Sequence, residues 1–304
     1  MALSITVVAG ATGDLGGRIT TALVARGADV RALVRHDAAA GDLDRVRALG
    51  ASVVSADVSD AASMTAACLG ADCVVSALNG LREVIVDRQS VLLDAAVAAG
   101  VPRFISSDYS ADFTRTRPGG NRNLDLRREF MGRADRAPIR VTSILNGAFM
   151  DLLGAEMPII QPRIRRVLFW GDADQPLDFT TKDDVAAYTA AAALDGTTPR
   201  ILRVAGDTLS ARDLARTLTQ TTGHRYRPLR AGSIRGLGIL ISLARKAAPQ
   251  PGAVFPAWQG MQYTRDMFSG GVRLDPLDND RFPGMTFTSV YDRFSGVATP
   301  TRAN

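Results

Sequence analysis

Gly10, Gly13 and Gly16 punctuate the run Gly10-Ala11-Thr12-Gly13-Asp14-Leu15-Gly16, which follows the apolar stretch Ile5-Thr6-Val7-Val8-Ala9 and opens a segment of helical period. Glycines so spaced allow a tight turn, a close approach of backbone to a pyrophosphate and close seating of helix on strand. The N–H groups at the helix start attract negative charge. The strand, turn and helix context at the head of a βαβ unit separates this pattern from a chance glycine repeat. Gly10, Thr12, Gly13, Asp14, Leu15 and Gly16 are therefore the expected phosphate contacts.

The second strand decides which dinucleotide fits. An acidic residue about 20 positions beyond the loop would accept the ribose hydroxyls of NAD, but here the strand ends in Val34-Arg35-His36. An arginine fork pairs with a 2′-phosphate, which a carboxylate repels, so Arg35 points to NADP, with Asp37 two positions on as a competitor for the guanidinium. Ligands of parallel sheets lie at the carboxyl ends of the strands. By that rule Asp57 meets the adenine edge, or caps the helix that follows, and Ser76, Ala77, Leu78 and Asn79 border the nicotinamide ribose. Ser106 and Asn146, at the ends of the next strands, complete the expected cofactor set.

The elements that must position these residues alternate from the start. SITVVAG, DVRALV, SVVSAD, CVVSAL, RFISS and IRVTSIL read as strands, separated by helices within 18–26, up to 49, 61–69, 84–99 and 124–136. Such alternation, with continuous apolar strands, predicts a Rossmann-type doubly wound parallel sheet, an α/β fold with a smaller C-terminal α+β domain. The expected division is 1–148, with a return of 178–205 through the helix KDDVAAYTAAAALD and strand RILRVAG, and 149–304 for the second domain. There RRVLFWGDADQPLDF predicts a hairpin around a Gly-Asp turn, SARDLARTLTQTTG a helix with Ser210 as N-cap and Gly223 past its end, and HRYRPLR a strand.

Composition excludes other classes. With 46% hydrophobic and 22% charged positions, the 304-residue chain can bury a large core. No basic-flanked leader opens it, and the run from Gly236 to Ala244 is far shorter than a bilayer span. Cys68 and Cys73 suit packing in a reducing compartment, which places the protein in the cytoplasm, and with His36 and His224 they supply too few ligands for a metal. The net charge of +5 comes from scattered arginines without a nucleic-acid recognition pattern, so no nucleic acid and no membrane partner is expected. A monomer or homodimer suffices.

With these residues in hand, the chain resembles the NmrA-like and isoflavone-reductase-like group of atypical short-chain dehydrogenases. The likeness is carried by GATGDLGG, the arginine of LVRH, AAGVPRFISSDYSADF, TTKDDVAAYTAAAALD and LDPLDNDRFPG. It implies an NADP-binding first domain and a variable C-terminal domain over the substrate. The wider superfamily pairs a proton-donating tyrosine with a lysine in Tyr-x-x-x-Lys. No such pair exists here: four positions after Tyr109, Tyr188, Tyr226, Tyr263 and Tyr291 stand Phe113, Ala192, Arg230, Met267 and Ser295. Where related reductases place a lysine after the fifth strand, NLDLRREF offers Arg127 or Arg128, which stay protonated but can steady an oxyanion.

The expected chemistry is hydride transfer from NADPH to a carbonyl, quinone or conjugated alkene of a small, aromatic substrate. Tyr109 and Asp108 are the candidate proton donors and Arg127 their electrostatic partner, with Phe113, Phe149, Met150 and Trp170 as the apolar lining. The rival expectation is a non-catalytic NADP sensor, which the missing lysine keeps open.

Overall fold

Short runs rich in valine, isoleucine and alanine fold as the strands of a sheet whose faces helices cover, because such runs offer apolar side chains in both directions. The structure, a computed structural model, describes residues 3–56, 60–154 and 156–296. Asp57 lies outside the described residues, as does the chain beyond residue 296.

In chain order the first elements are β1 (Ile5–Ala9), α1 (Asp14–Ala25), β2 (Asp29–Val34), α2 (Ala40–Ala48), β3 (Ser52–Ser55), α3 (Ala61–Cys68) and β4 (Cys73–Ser76). A π-helical stretch, Glu83–Arg88, runs into α4 (Gln89–Ala98), followed by β5 (Arg103–Ser106), α5 (Arg122–Ala134) and β6 (Arg140–Leu145). Next come β7 (Ala148–Phe149), β8 (Ile160–Gln161), β9 (Arg166–Trp170), β10 (Leu177–Thr180), α6 (Lys182–Leu194), β11 (Ile201–Arg203) and β12 (Asp207–Leu209). The chain continues through α7 (Ala211–Thr222), β13 (Arg227–Gly232), α8 (Ile234–Ala247), α9 (Ala257–Phe268) and α10 (Val290–Ser295).

The large sheet has the order β11-β6-β5-β4-β1-β2-β3. β1 pairs in parallel with both β2 and β4, and β2 with β3, β4 with β5 and β5 with β6 are parallel too. The strand order reverses between β1 and β4, which is where a doubly wound sheet opens a crevice at its carboxyl edge. Beneath that edge Val7, Val74 and Phe104 of the strands meet Leu92, Leu93 and Phe130 of the helices in one buried cluster. The rings of Phe104 and Phe130 stand 6.3 Å apart, and each fully buried side chain of this kind contributes about 1.5–3 kcal/mol. Cys68 ends α3 and Cys73 opens β4, both buried, and burial pushes their thiols up to about 11 and about 12. Such thiols stay protonated and inert.

The chain divides into two compact units. The first takes Met1–Tyr109, Leu124–Ile144 and Val185–Leu202, the second Ser110–Asn123, Leu145–Asp184 and Arg203–Asn304. Residues 110–123, read in sequence as part of the dinucleotide domain, thus belong to the second unit. Their bonds explain it: the Asp112 N–H donates to Val272 O at 3.2 Å, Arg203 Nε donates to Asp112 Oδ2 at 2.7 Å, and Asn121 Nδ2 donates to Asp266 Oδ2 at 2.9 Å.

The second unit holds two small sheets, β12-β10-β7 and β13-β9-β8. The hairpin expected around Gly171 and Asp172 does not form. β9 pairs in parallel with β13 and antiparallel with β8, whereas β10 pairs with β12 and β7. A left-handed Gly171 (φ 75°) and Pro176 lie on the path between them, and the chain there changes sheets instead of folding back on itself. The α7 expectation holds in detail: Ser210 and Asp213 form a reciprocal capping box, and Gly223 at φ 70° terminates the helix.

Candidate functional site

The glycine loop is built around contacts that leave no room for side chains. Gly10 sits at φ +87°, and a Cβ there would lie 2.6 Å from the Ala77 carbonyl oxygen. A Cβ on Gly16 would lie 2.0 Å from the Gly10 oxygen. The loop closes on itself through the Gly13 N–H to Gly10 O at 3.0 Å, and it is tied to β4 by the Ala77 N–H to Ala9 O at 2.8 Å. Register places Ala9 opposite Ser76 of β4 and Leu33 of β2, so the loop emerges at the point where the sheet order reverses.

What the loop presents follows from how α1 starts. Its N-cap is Gly13, with no side-chain cap, as also at α2 and α9, whereas α3, α7, α8 and α10 are capped by Asp60, Ser210, Ser233 and Ser289. A helix start without a capping side chain leaves its first N–H groups to an external acceptor, and an anion suits them. Thr12, Gly13 and Asp14 are exposed there, Leu15 is half-buried and Gly16 buried. Asp14 turns back along its helix to Arg18 at 2.7 Å. The residues present therefore fit a pyrophosphate.

At the end of β2, Arg35 is 64% exposed along its side chain and stands 3.5 Å from Asp37, an open pair in which solvent weakens the attraction. His36 beside it is fixed through Nδ1 to Ser55 Oγ at 2.8 Å. At the end of β4, Ser76 is fully buried with its hydroxyl oxygen unpartnered, Ala77 and Leu78 are half-buried and Asn79 is exposed.

The loop after β5 turns inward. Asp108 is 0% exposed and accepts hydrogen bonds from Ser106 Oγ and from Ser143 Oγ at 2.6 Å. Arg200 Nη1 donates to the same Ser143 hydroxyl at 2.7 Å, and its Nε donates to Asp135. Burial pushes the Asp108 carboxyl above its ordinary range, against the pull of these serines and of the Arg127 and Arg200 charges. Arg127 is 7% exposed, and its charge favours the ionised Asp108 carboxyl.

The structure does not bring the Tyr109 phenol to the strand-end surface. Tyr109 is 6% exposed, its hydroxyl lies buried toward Thr189, and burial pushes its ionisation far up. Ser106 likewise spends its hydroxyl inside, on Asp108, Ser143 and the Thr142 carbonyl. In the second unit the Asn146 N–H donates to Ser110 O and its own carbonyl accepts from Thr180 Oγ1, leaving a buried Oδ1 unpartnered. Phe113 and Met150 are fully buried, at 0% and 1%. Phe149 lies half-buried with the Lys182 ammonium 6.0 Å from its ring, and Trp170 packs on Phe268 at 5.7 Å.

Sequence reading missed Ser107, Gln89, Ser143 and Arg200. Ser143 carried a usable signal, a polar residue in the middle of a strand, since buried polar groups require partners, whereas Gln89 stands among Asp87, Arg88 and Ser90 and carried none. Arg200 carried none.

The NmrA-like family model matches residues 3–231. Pinoresinol reductase 2 of Arabidopsis thaliana is 31% identical over 199 residues, which cover 60% of this chain and 62% of that protein, so the match spans under two thirds of the relative's length. The solved structure of AtPrR2 with NADP+ and (+)pinoresinol shares the fold at a TM-score of 0.81 and 23% identity, over 98% of this chain and 100% of that one. An NADPH-dependent quinone oxidoreductase from Escherichia coli, complexed with NADPH, matches at a TM-score of 0.74 and 20% identity, over 96% and 99%.

Proposed function

Since the chain belongs to the NmrA-like family, we propose that it is an NADPH-dependent reductase of a small aromatic carbonyl, quinone or conjugated alkene. The observation that carries this reading is the glycine turn at the start of α1, where Gly10 and Gly16 leave no room for side chains beside the end of β4. The N–H groups of 11–16 hold the pyrophosphate, Arg35 takes the 2′-phosphate once it exchanges Asp37 for it, and Ser76, Ala77, Leu78 and Asn79 border the nicotinamide side. The names of relatives, a pinoresinol reductase and a quinone oxidoreductase, support the substrate class.

The bound cofactor supplies the hydride, and the protein must supply orientation and one proton. We assign that proton to Asp108, whose carboxyl burial pushes above its ordinary range, with Ser106, which donates its hydroxyl to it, as its first contact. Arg127 steadies the carboxylate that remains. Tyr109 serves as packing. Phe149 and Trp170, the half-buried members of the expected lining, are the substrate contacts in this reading.

The inward-facing Asp108 and Tyr109 favour one second reading, an NADP-binding regulator that performs no chemistry. Following NADPH absorbance with a panel of quinones, aromatic ketones and enones separates the two. Turnover supports the reductase; tight NADP+ binding with no turnover across the panel supports the regulator.

A further inference from the structure

Gln89 is 0% exposed at the junction between the π-helical stretch and α4. Its backbone N–H is shared between Val84 O, five residues back, and Val86 O, three back, and skips the Ile85 carbonyl. The Gln89 side chain compensates by donating Nε2–H to Ile85 O at 2.9 Å. Its Oε1 accepts the Ser107 N–H at 2.8 Å, just past the end of β5. Ser107 in turn donates its hydroxyl to Leu78 O at 2.6 Å, just past the end of β4. One buried amide thus joins a π-helical irregularity, a feature that recurs at functional sites, to the loops that leave two neighbouring strands at their carboxyl ends.

We propose that Gln89 is a positioning residue for the nicotinamide half of the cofactor. The inference rests on the dinucleotide reading above. In a doubly wound sheet the ligand spans the reversal point with its adenine side over β2, so its other half lies toward β4 and β5. Gln89 fixes those two loops relative to each other: Ser107 holds Leu78, and Gln89 holds Ser107. Nothing in this chain of bonds touches β2 or its Arg35. Removing the buried amide leaves the Ile85 carbonyl and the Ser107 N–H without partners, and the loops would relax to recover them.

The test compares NADP+ with 2′,5′-ADP, which carries the adenine half and the 2′-phosphate but no nicotinamide. Titration calorimetry is run on the wild-type chain, Gln89→Met and Ser107→Ala, with circular dichroism to establish that each variant is folded. Ser107→Ala keeps the N–H that Gln89 accepts and loses only the hydroxyl to Leu78, so it carries the test should Gln89→Met fail to fold. We expect Gln89→Met to weaken NADP+ about tenfold and 2′,5′-ADP less than about twofold, with Ser107→Ala shifting NADP+ the same way by less. Equal losses for both ligands, or no loss for either, overturn the inference while leaving the cofactor reading intact. A folded wild-type chain that binds neither ligand overturns both.

Discussion

The Gly10 α-carbon and the Ala77 carbonyl approach so closely that a methyl group on Gly10 would sit 2.6 Å from the oxygen. This contact locks the turn after β1 against the end of β4, and with φ +87° it leaves glycine as the residue that fits. Gly10→Ala should therefore destabilise the fold by about 1–3 kcal/mol and weaken NADP+ by at least about tenfold. Urea unfolding and titration calorimetry check both. A variant that binds NADP+ like the wild type would mean that this turn does not set the phosphate site.

Arg35 lies at the end of β2, loosely held by Asp37 at 3.5 Å and otherwise open. A charge-assisted pair with a 2′-phosphate contributes about 1.5–3 kcal/mol, so Arg35→Ala should lower NADP+ affinity on the order of tenfold or more and leave NAD+ nearly unchanged. Equal loss for both dinucleotides would assign the phosphate to another residue.

Asp108 binds its proton more tightly in the folded chain than in the unfolded one, because burial outweighs Ser106, Ser143, Arg127 and Arg200. As pH rises past the ordinary carboxylate range of about 4, the unfolded chain loses a proton that the folded chain still holds. Stability falls through that window, up to the raised folded value. Asp108→Asn removes the dependence, so its stability relative to wild type should improve steadily with pH across the same window. Urea unfolding at a series of pH values measures the difference, and a pH-independent offset would contradict the raised proton affinity of the buried carboxyl.

Tyr109 carries its hydroxyl inward beside Thr189, and removing a buried hydroxyl without a well-made bond costs little. Tyr109→Phe should stay within about 1 kcal/mol of wild-type stability and within about twofold of its kcat/KM. Asp108→Asn, by contrast, should lower turnover by about a hundredfold or more. Reversed effects would return the proton to the phenol and make Asp108 a structural pin.

The sheet was legible because β1, β4 and β5 are continuous apolar runs, fully buried along nearly their whole length, and the glycine loop because its spacing is dictated by backbone contact at Gly10 and Gly16. Arg35 was legible as a type at a strand end. The orientation of Asp108 and Tyr109 was not, because it depends on Ser143, Arg200 and Thr189, which arrive from distant segments of the chain. The pairing of β9 was misread for a related reason: local turn residues at Gly171 suggest a hairpin, while β13, some sixty residues later, provides the actual partner. Long-range pairing overrides a local turn signal when the strand has a better neighbour elsewhere.

The most direct test mixes the wild-type chain with NADPH or NADH and a panel of quinones, aromatic ketones and enones, and follows the nicotinamide absorbance. We expect loss of NADPH absorbance with at least one aromatic acceptor, at least about tenfold faster than with NADH at limiting cofactor, and abolished in Gly10→Ala. Oxidation of NADH as fast as NADPH, or no oxidation of either despite tight NADP+ binding, would contradict an NADPH-dependent reductase.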